Sequence, residues 1–184
     1  MKMKSLLALA LCLVAFPGGA VEVAGVKVPD TVTVEGKTLK LNGAGLRTKV
    51  VFKVYVLGLY LEATSKDAAT IISSDQVKSI RMSYLREVAG PKISETIAEG
   101  FERNSKAEMP KLKPRLDKLA AMIPDLVKGD EIVLTYVPGK GTVVTAKGAE
   151  KGVIEGKDFA DALFSVWLGA NPAQEDLKKA LLRG

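Results

Sequence analysis

Apolar positions along this chain change their period several times, and each change marks an element. From Val21 to Lys40 apolar and polar residues alternate around Pro29-Asp30 and Glu35-Gly36-Lys37, which predicts two short strands and their turns. From Val50 to Leu61 the residues are apolar on both parities after Lys53, so this strand is expected to be covered on both faces. Lys66 to Ser73 predicts a short helix. Gln76 to Leu85 returns to strand character and offers Val77, Ile80 and Met82 to a core. After Gly90-Pro91 the period lengthens, with Ile93, Ile97 and Phe101 at helical spacing and Lys92, Glu95, Glu99 and Glu102 on the other side. A second amphipathic helix gathers Leu112, Leu116, Leu119, Ala120 and Ile123 on one face, with Pro110, Pro114 and Pro124 at its edges or at a kink. Asp130 to Val137 and Gly141 to Ala146 predict a hairpin across Pro138-Gly139-Lys140, followed by a strand-like piece at Val153-Ile154. Helices resume at Asp158 to Leu168 and Ala173 to Leu182.

Strands, helices, strands and helices follow one another without regular βαβ alternation, and no repeat or long linker divides them. The expected fold class is α+β, a largely antiparallel sheet with helices over one face. The first twenty residues stand apart. Lys2 and Lys4, an apolar run from Leu6 to Phe16 and small residues ending at Ala20 predict a secretory signal peptide over 1–20, since the run is too short to span a bilayer. A buried N-terminal helix is the alternative. Cys12 follows Leu11, where lipoprotein processing wants a small residue, so no lipid anchor is expected. The remaining residues, 21–184, suit one domain in the periplasm or outside the cell.

Composition narrows the chemistry. Export removes the only cysteine and with it any disulfide, and histidine is absent. Histidine-ligated metals, Ser-His-Asp triads and histidine bases are thereby excluded, and neither a metal nor a cofactor is expected. Loss of Lys2 and Lys4 takes the net charge from +6 to about +4, with acidic residues interspersed among the basic ones. That balance does not point to nucleic acid, and no other stretch is long enough for stable membrane insertion. Lys111, Lys113, Arg115 and Lys118 read as the solvated side of a helix, with a membrane-surface role as the alternative. The pattern implies no particular oligomeric state.

The densest segment is Leu41 to Glu62. It places Arg47 just after a Gly-x-Gly loop and ahead of an apolar strand that holds Tyr55 and Tyr60. A cation and phenols beside a core strand suggest a pocket for something apolar with an anionic or carbonyl end.

Leu41-Asn42-Gly43-Ala44-Gly45-Leu46-Arg47 followed by Leu57-Gly58-Leu59-Tyr60-Leu61-Glu62 resembles the chalcone isomerase superfamily, whose plant enzymes read L-G-G-A-G-V-R and then I-G-I-Y-L-E. Leu85-Arg86-Glu87-Val88-Ala89-Gly90-Pro91 is similar to the family's I-R-E-L-S-G-P, and the likeness continues near Gly169 and Asp176-Leu177-Lys178. The resemblance is to an exported bacterial branch of the group. It implies a curved antiparallel sheet, a layer of helices and a ligand cleft between them. Plant members close a ring by adding a phenolate to an enone without metal or cofactor; non-catalytic relatives bind fatty acids in the same cleft.

Carried over residue by residue, the family arginine is Arg47. The catalytic threonine falls at Tyr55, the following tyrosine at Ile93, the substrate-binding asparagine at Gly100 and the C-terminal threonine at Val166. Ile93, Gly100 and Val166 cannot hydrogen-bond through a side chain. Chalcone isomerisation is therefore not expected, and the arginine and tyrosine types match those that hold a carboxylate in the fatty-acid-binding relatives. The leading expectation is a non-catalytic protein that binds a small apolar carboxylate or lipid at Arg47 and Tyr55, in a cleft lined by Ile93, Ile97, Phe101, Val166 and Trp167. The alternative is an isomerase or intramolecular lyase acting on another enone or phenolic substrate, with Arg47 polarising a carbonyl and Tyr55 or Tyr84 moving a proton, provided a tyrosine pKa is shifted toward neutrality. A third possibility is an interaction module with a filled core, in which Tyr55 and Trp167 serve packing alone. Eight residues of straight strand span about 26 Å, so Arg47 and Tyr55 can share a site only if the chain turns or bulges between them.

Overall fold

The computed structural model describes residues 19–184. Seven strands lie side by side in chain order: β3 (Thr31–Val34), β4 (Lys37–Lys49), β5 (Phe52–Leu61), β6 (Lys78–Tyr84), β7 (Glu131–Val137), β8 (Gly141–Ala146) and β9 (Ala149–Ile154). Every neighbouring pair is antiparallel, and the sheet is curled. Strands β1 (Ala20–Val23) and β2 (Val26–Pro29) form a separate hairpin. Five α-helices and a 3-10 turn at Lys106–Glu108 complete the order of the described residues: α1 (Ala68–Ser73), α2 (Gly90–Asn104), α3 (Met109–Met122), α4 (Lys157–Leu168) and α5 (Glu175–Leu181).

The sequence pattern explains the layering. On β5, Tyr55, Leu57, Leu59 and Leu61 face the helices, where they join Ile93, Ile97 and Phe101 of α2 and Phe159, Leu163, Phe164 and Trp167 of α4. Val56 and Tyr60 face the other way, into a smaller cluster with Val28 and Leu39. Gly58 lets the β1–β2 hairpin close onto that outer face: a Cβ there would sit 3.0 Å from Val28 Cγ1. The Tyr60 hydroxyl donates to Pro29 O at 2.9 Å. A strand apolar on both parities is thus sandwiched between two layers.

Several sequence boundaries move. Residues 20–40 hold three short strands and the start of a long one rather than two strands, because Ala24-Gly25 and Glu35-Gly36 both adopt positive φ and make two-residue hairpin turns. The expected signal peptide lies, through residue 18, outside the described residues, and Ala20 already pairs with Pro29. The Gly-x-Gly segment is not a loop. Gly43 and Gly45 lie inside β4, where Cβ atoms would sit 2.3 Å from Ala180 O and 2.8 Å from Ala180 Cβ, so they are small because α5 packs directly on the strand. Asn42 ties that packing down by donating to Leu181 O at 2.8 Å and Ser65 O at 2.9 Å.

Candidate functional site

The strand that contains Tyr55 does not begin at Val50. Chain reversal occurs at Val50-Val51, so β4 and β5 form a hairpin in which Lys49 opposes Phe52 and Arg47 opposes Tyr55. One residue of β5, Val54, is extra between the Arg47/Tyr55 and Thr48/Lys53 pairs, a bulge that bends the strand near its end. On the other side of β5, Tyr55 opposes Tyr84 of β6. Arg47, Tyr55 and Tyr84 therefore form one transverse row across three adjacent strands, at spacings of about 5 Å between facing Cβ atoms.

Beside this row lies a cavity of about 710 Å³. Its sheet wall includes Arg47, Val54, Tyr55, Met82 and Tyr84; α2 supplies Ile93, Thr96 and Ile97, and α4 supplies Val166 and Trp167. Phe101, expected in the cleft lining, is not part of this wall: it is fully buried deeper in the core, 5.3 Å from the Phe159 ring centroid. A volume near the middle of the range of small-molecule sites, with an apolar wall and a few convergent polar groups, makes this a candidate ligand cavity.

The polar groups have a common character. Trp167 Nε1 donates to Tyr55 Oη at 2.9 Å, which fixes the phenol and leaves its own proton without an acceptor among the described residues. Tyr84 Oη makes no hydrogen bond with them either, although its ring lies 5.4 Å from that of Tyr55. Half-buried Arg47 has no carboxylate partner among the described residues. Its Nη1 donates to Thr48 O and, at 3.1 Å, to Gln174 Oε1, and the guanidinium lies close enough to the Tyr55 hydroxyl to pull its pKa down. Gln174, just before α5, also receives Thr48 N–H at 2.9 Å, so it clamps the end of β4 and aims the guanidinium. Donors outnumber acceptors here, which is the composition of a site for an acceptor-rich group.

Burial pushes the Tyr55 phenol up from its ordinary pKa, against the hydrogen bond from Trp167 and the positive charge of Arg47, which pull it down. Tyr84 is also pushed well up by burial, with Tyr55 adding to the effect. Both shifts run away from neutrality, contrary to what a tyrosine acid–base catalyst requires; at neutral pH the two phenols are hydrogen-bond donors.

Two of the altered family positions touch each other. A Cβ on Gly100 would lie 2.7 Å from Val166 Cγ1, so glycine on α2 and valine on α4 are a matched pair that lets those helices approach closely. Sequence reasoning missed Gln174, whose role depends on α5 folding back on β4 and leaves no mark in local spacing. It also missed Met82, Arg86, Val88 and Lys92 as wall residues. Among the described residues there is no cluster of three potential metal ligands, and no helix is long and apolar enough to cross a membrane.

A family model described as chalcone isomerase-like matches residues 20–183. No curated protein sequence matches. Among solved structures, a crystal structure of a fatty-acid binding protein from Arabidopsis thaliana superposes with a TM-score of 0.69 at 16% sequence identity, covering 89% of this chain and 96% of that one. At that identity the likeness is one of fold: the curled sheet and its helical layer are shared.

Proposed function

From the premise that this chain belongs to the chalcone isomerase-like family, we propose that it is an exported, non-catalytic member that binds a small apolar carboxylate, such as a fatty acid, in the cavity between sheet and helices. The observation that carries this reading is the row Arg47–Tyr55–Tyr84, three donors on adjacent strands with no acid to satisfy them. A carboxylate offers two oxygens and about four acceptor sites, enough for the guanidinium and both phenols. The tail lies along Val54, Met82, Ile93, Ile97 and Val166, where each methylene removed from water contributes about 0.8 kcal/mol. The Arabidopsis protein with the shared fold is a fatty-acid binding protein, which supports the ligand class.

The test is a fatty-acid titration followed by the fluorescence of Trp167, the single tryptophan, together with mass spectrometry of lipid that co-purifies. Arg47→Ala is expected to weaken binding about tenfold or more, the worth of a charge-assisted hydrogen bond. Equal affinity of the two proteins overturns the head-group assignment. The same donors would also polarise an enone carbonyl, and turnover of a chalcone that disappears in Arg47→Ala would favour an isomerase instead.

A further inference from the structure

We propose that the tip of the β4–β5 hairpin is a docking surface for an anionic phospholipid bilayer, at which the cavity's ligand enters and leaves; the entry role rests on the function proposed above, the docking itself does not. Three contiguous side chains at this tip are exposed: Val50 by 89%, Val51 by 81% and Phe52 by 55%. Of the five large hydrophobic residues left exposed among the described residues, these three are the only ones that adjoin one another.

The backbone at the tip is unfavourable for the residue it carries. Val50 has φ +55°, in the left-handed region where a β-branched side chain is strongly disfavoured. The other non-glycine residues at positive φ among the described residues, Ala24, Glu35 and Lys147, carry no β-branch, and each is followed by a glycine that shares the turn; Val50 is β-branched and is followed by Val51. Valine here contributes strain without a packing partner, and an outlier of this kind is a sign of function at the position.

The charges around the tip select the partner. Lys49 and Lys53 flank the three apolar residues, and the Arg86 guanidinium lies 4.7 Å from the centre of the Phe52 ring. None of these three cations has an ion pair among the described residues; Lys92 is nearby but is held by Glu95, and the two acids of the cavity rim are Glu87 and Glu99, the latter near Arg103. An apolar point ringed by basic side chains matches the interface of an anionic leaflet, where aliphatic stems lie among the acyl chains and the charges reach the phosphates. Three side chains fall short of the roughly 800 Å² per partner that a specific protein interface buries, but suffice for shallow insertion. The tip is also continuous with the cavity: Lys49, Val50, Phe52 and Arg86 belong to its wall.

The test is co-sedimentation of the purified protein, with the same N-terminus in every variant, on vesicles of phosphatidylcholine with and without phosphatidylglycerol. Val51 and Lys53 lie outside the cavity wall, so Val51→Asn and Lys53→Gln separate docking from ligand binding. Wild type is expected on the phosphatidylglycerol vesicles; Val51→Asn should weaken that binding about fivefold to tenfold, and Lys53→Gln about fivefold there with little change on phosphatidylcholine. Fatty-acid affinity measured without vesicles should be the same in both variants. Val127→Asn, at an exposed valine elsewhere, should leave vesicle binding unchanged. Val50→Gly should raise the thermal midpoint while lowering vesicle binding, because it removes strain and apolar surface together. Docking is overturned if wild type does not sediment, if Val51→Asn sediments equally well, or if the tip instead drives self-association that Val51→Asn abolishes. Docking without any fatty-acid binding would discard the cavity's proposed ligand and leave the docking surface standing.

Discussion

Arg47 and Tyr55, eight residues apart in sequence, are direct cross-strand partners. A straight strand would hold their side chains about 26 Å apart. The two-residue turn at Val50-Val51 and the extra residue Val54 bring them into register, and Tyr84 extends the pair into a row. The donor surplus of the site is a consequence of that register, since no acid occupies the facing positions.

The two phenols of the row should respond differently to loss of a hydroxyl. Tyr55 Oη is the acceptor for the buried Trp167 N–H, so Tyr55→Phe leaves that donor unpaired and should cost about 1–3 kcal/mol of stability. Tyr84 Oη has no partner among the described residues, and Tyr84→Phe should change stability by less than about 1 kcal/mol while weakening fatty-acid binding severalfold. Urea denaturation and ligand titration of the two variants check the contrast.

All four tyrosines of the chain have raised pKa values. Burial is the first cause in each; it takes Tyr60 and Tyr136 to about 12, and for Tyr136 the hydrogen bond to Asp75 adds to it. A phenol that stays protonated longer in the fold than in the unfolded chain contributes stability below pH 10, and that contribution is lost as pH climbs toward 12. Phenolate absorbance should therefore show no tyrosine ionising near pH 10 in the folded protein, and ionisation should coincide with alkaline unfolding.

The contact between Gly100 and Val166 predicts a coupled pair. Gly100→Ala places a methyl group 2.7 Å from Val166 Cγ1, so that the β-branched side chain or the helices must shift, and should cost about 1–3 kcal/mol. Val166→Ala alone leaves a small void. Combined, the two should be more stable than the sum of the separate losses predicts, by at least about 0.5 kcal/mol, as measured by a double-mutant cycle.

How far the sequence carried these conclusions depended on whether the cause was local. The two-faced burial of β5 was legible because Val54 to Leu61 is apolar on both parities, and the amphipathic helices α2 and α3 showed their period. The family likeness was legible in the Leu41–Arg47 and Leu85–Pro91 motifs. The β4–β5 reversal was not, because Val50-Val51 carries neither glycine nor asparagine and reads as more strand. For the same reason the Gly-x-Gly segment looked like a turn, when its glycines answer to α5, more than a hundred residues away. Phe101 has the spacing of a lining residue but lies one layer deeper, a distinction that helical periodicity does not encode.

Lys78 offers the last prediction. Its side chain is fully buried and donates to the carbonyls of Ile71, Ile72 and Ser74, closing the end of α1, with Asp161 Oδ1 at 3.7 Å. Burial lowers its pKa to about 8, against the pull of Asp161 in the opposite direction. Between pH 8 and the ordinary value of 10.5 the unfolded chain therefore binds more protons than the fold, so this group makes stability rise with pH across that window. The tyrosines oppose it only above pH 10. Lys78→Met removes the titration and leaves the three carbonyls without their shared donor, and should cost about 2–3 kcal/mol at neutral pH. Denaturation midpoints of wild type between pH 7 and 10 should climb in the upper half of that range, and those of Lys78→Met should stay flat; a climb of equal size in both would show that the buried ammonium is not its source.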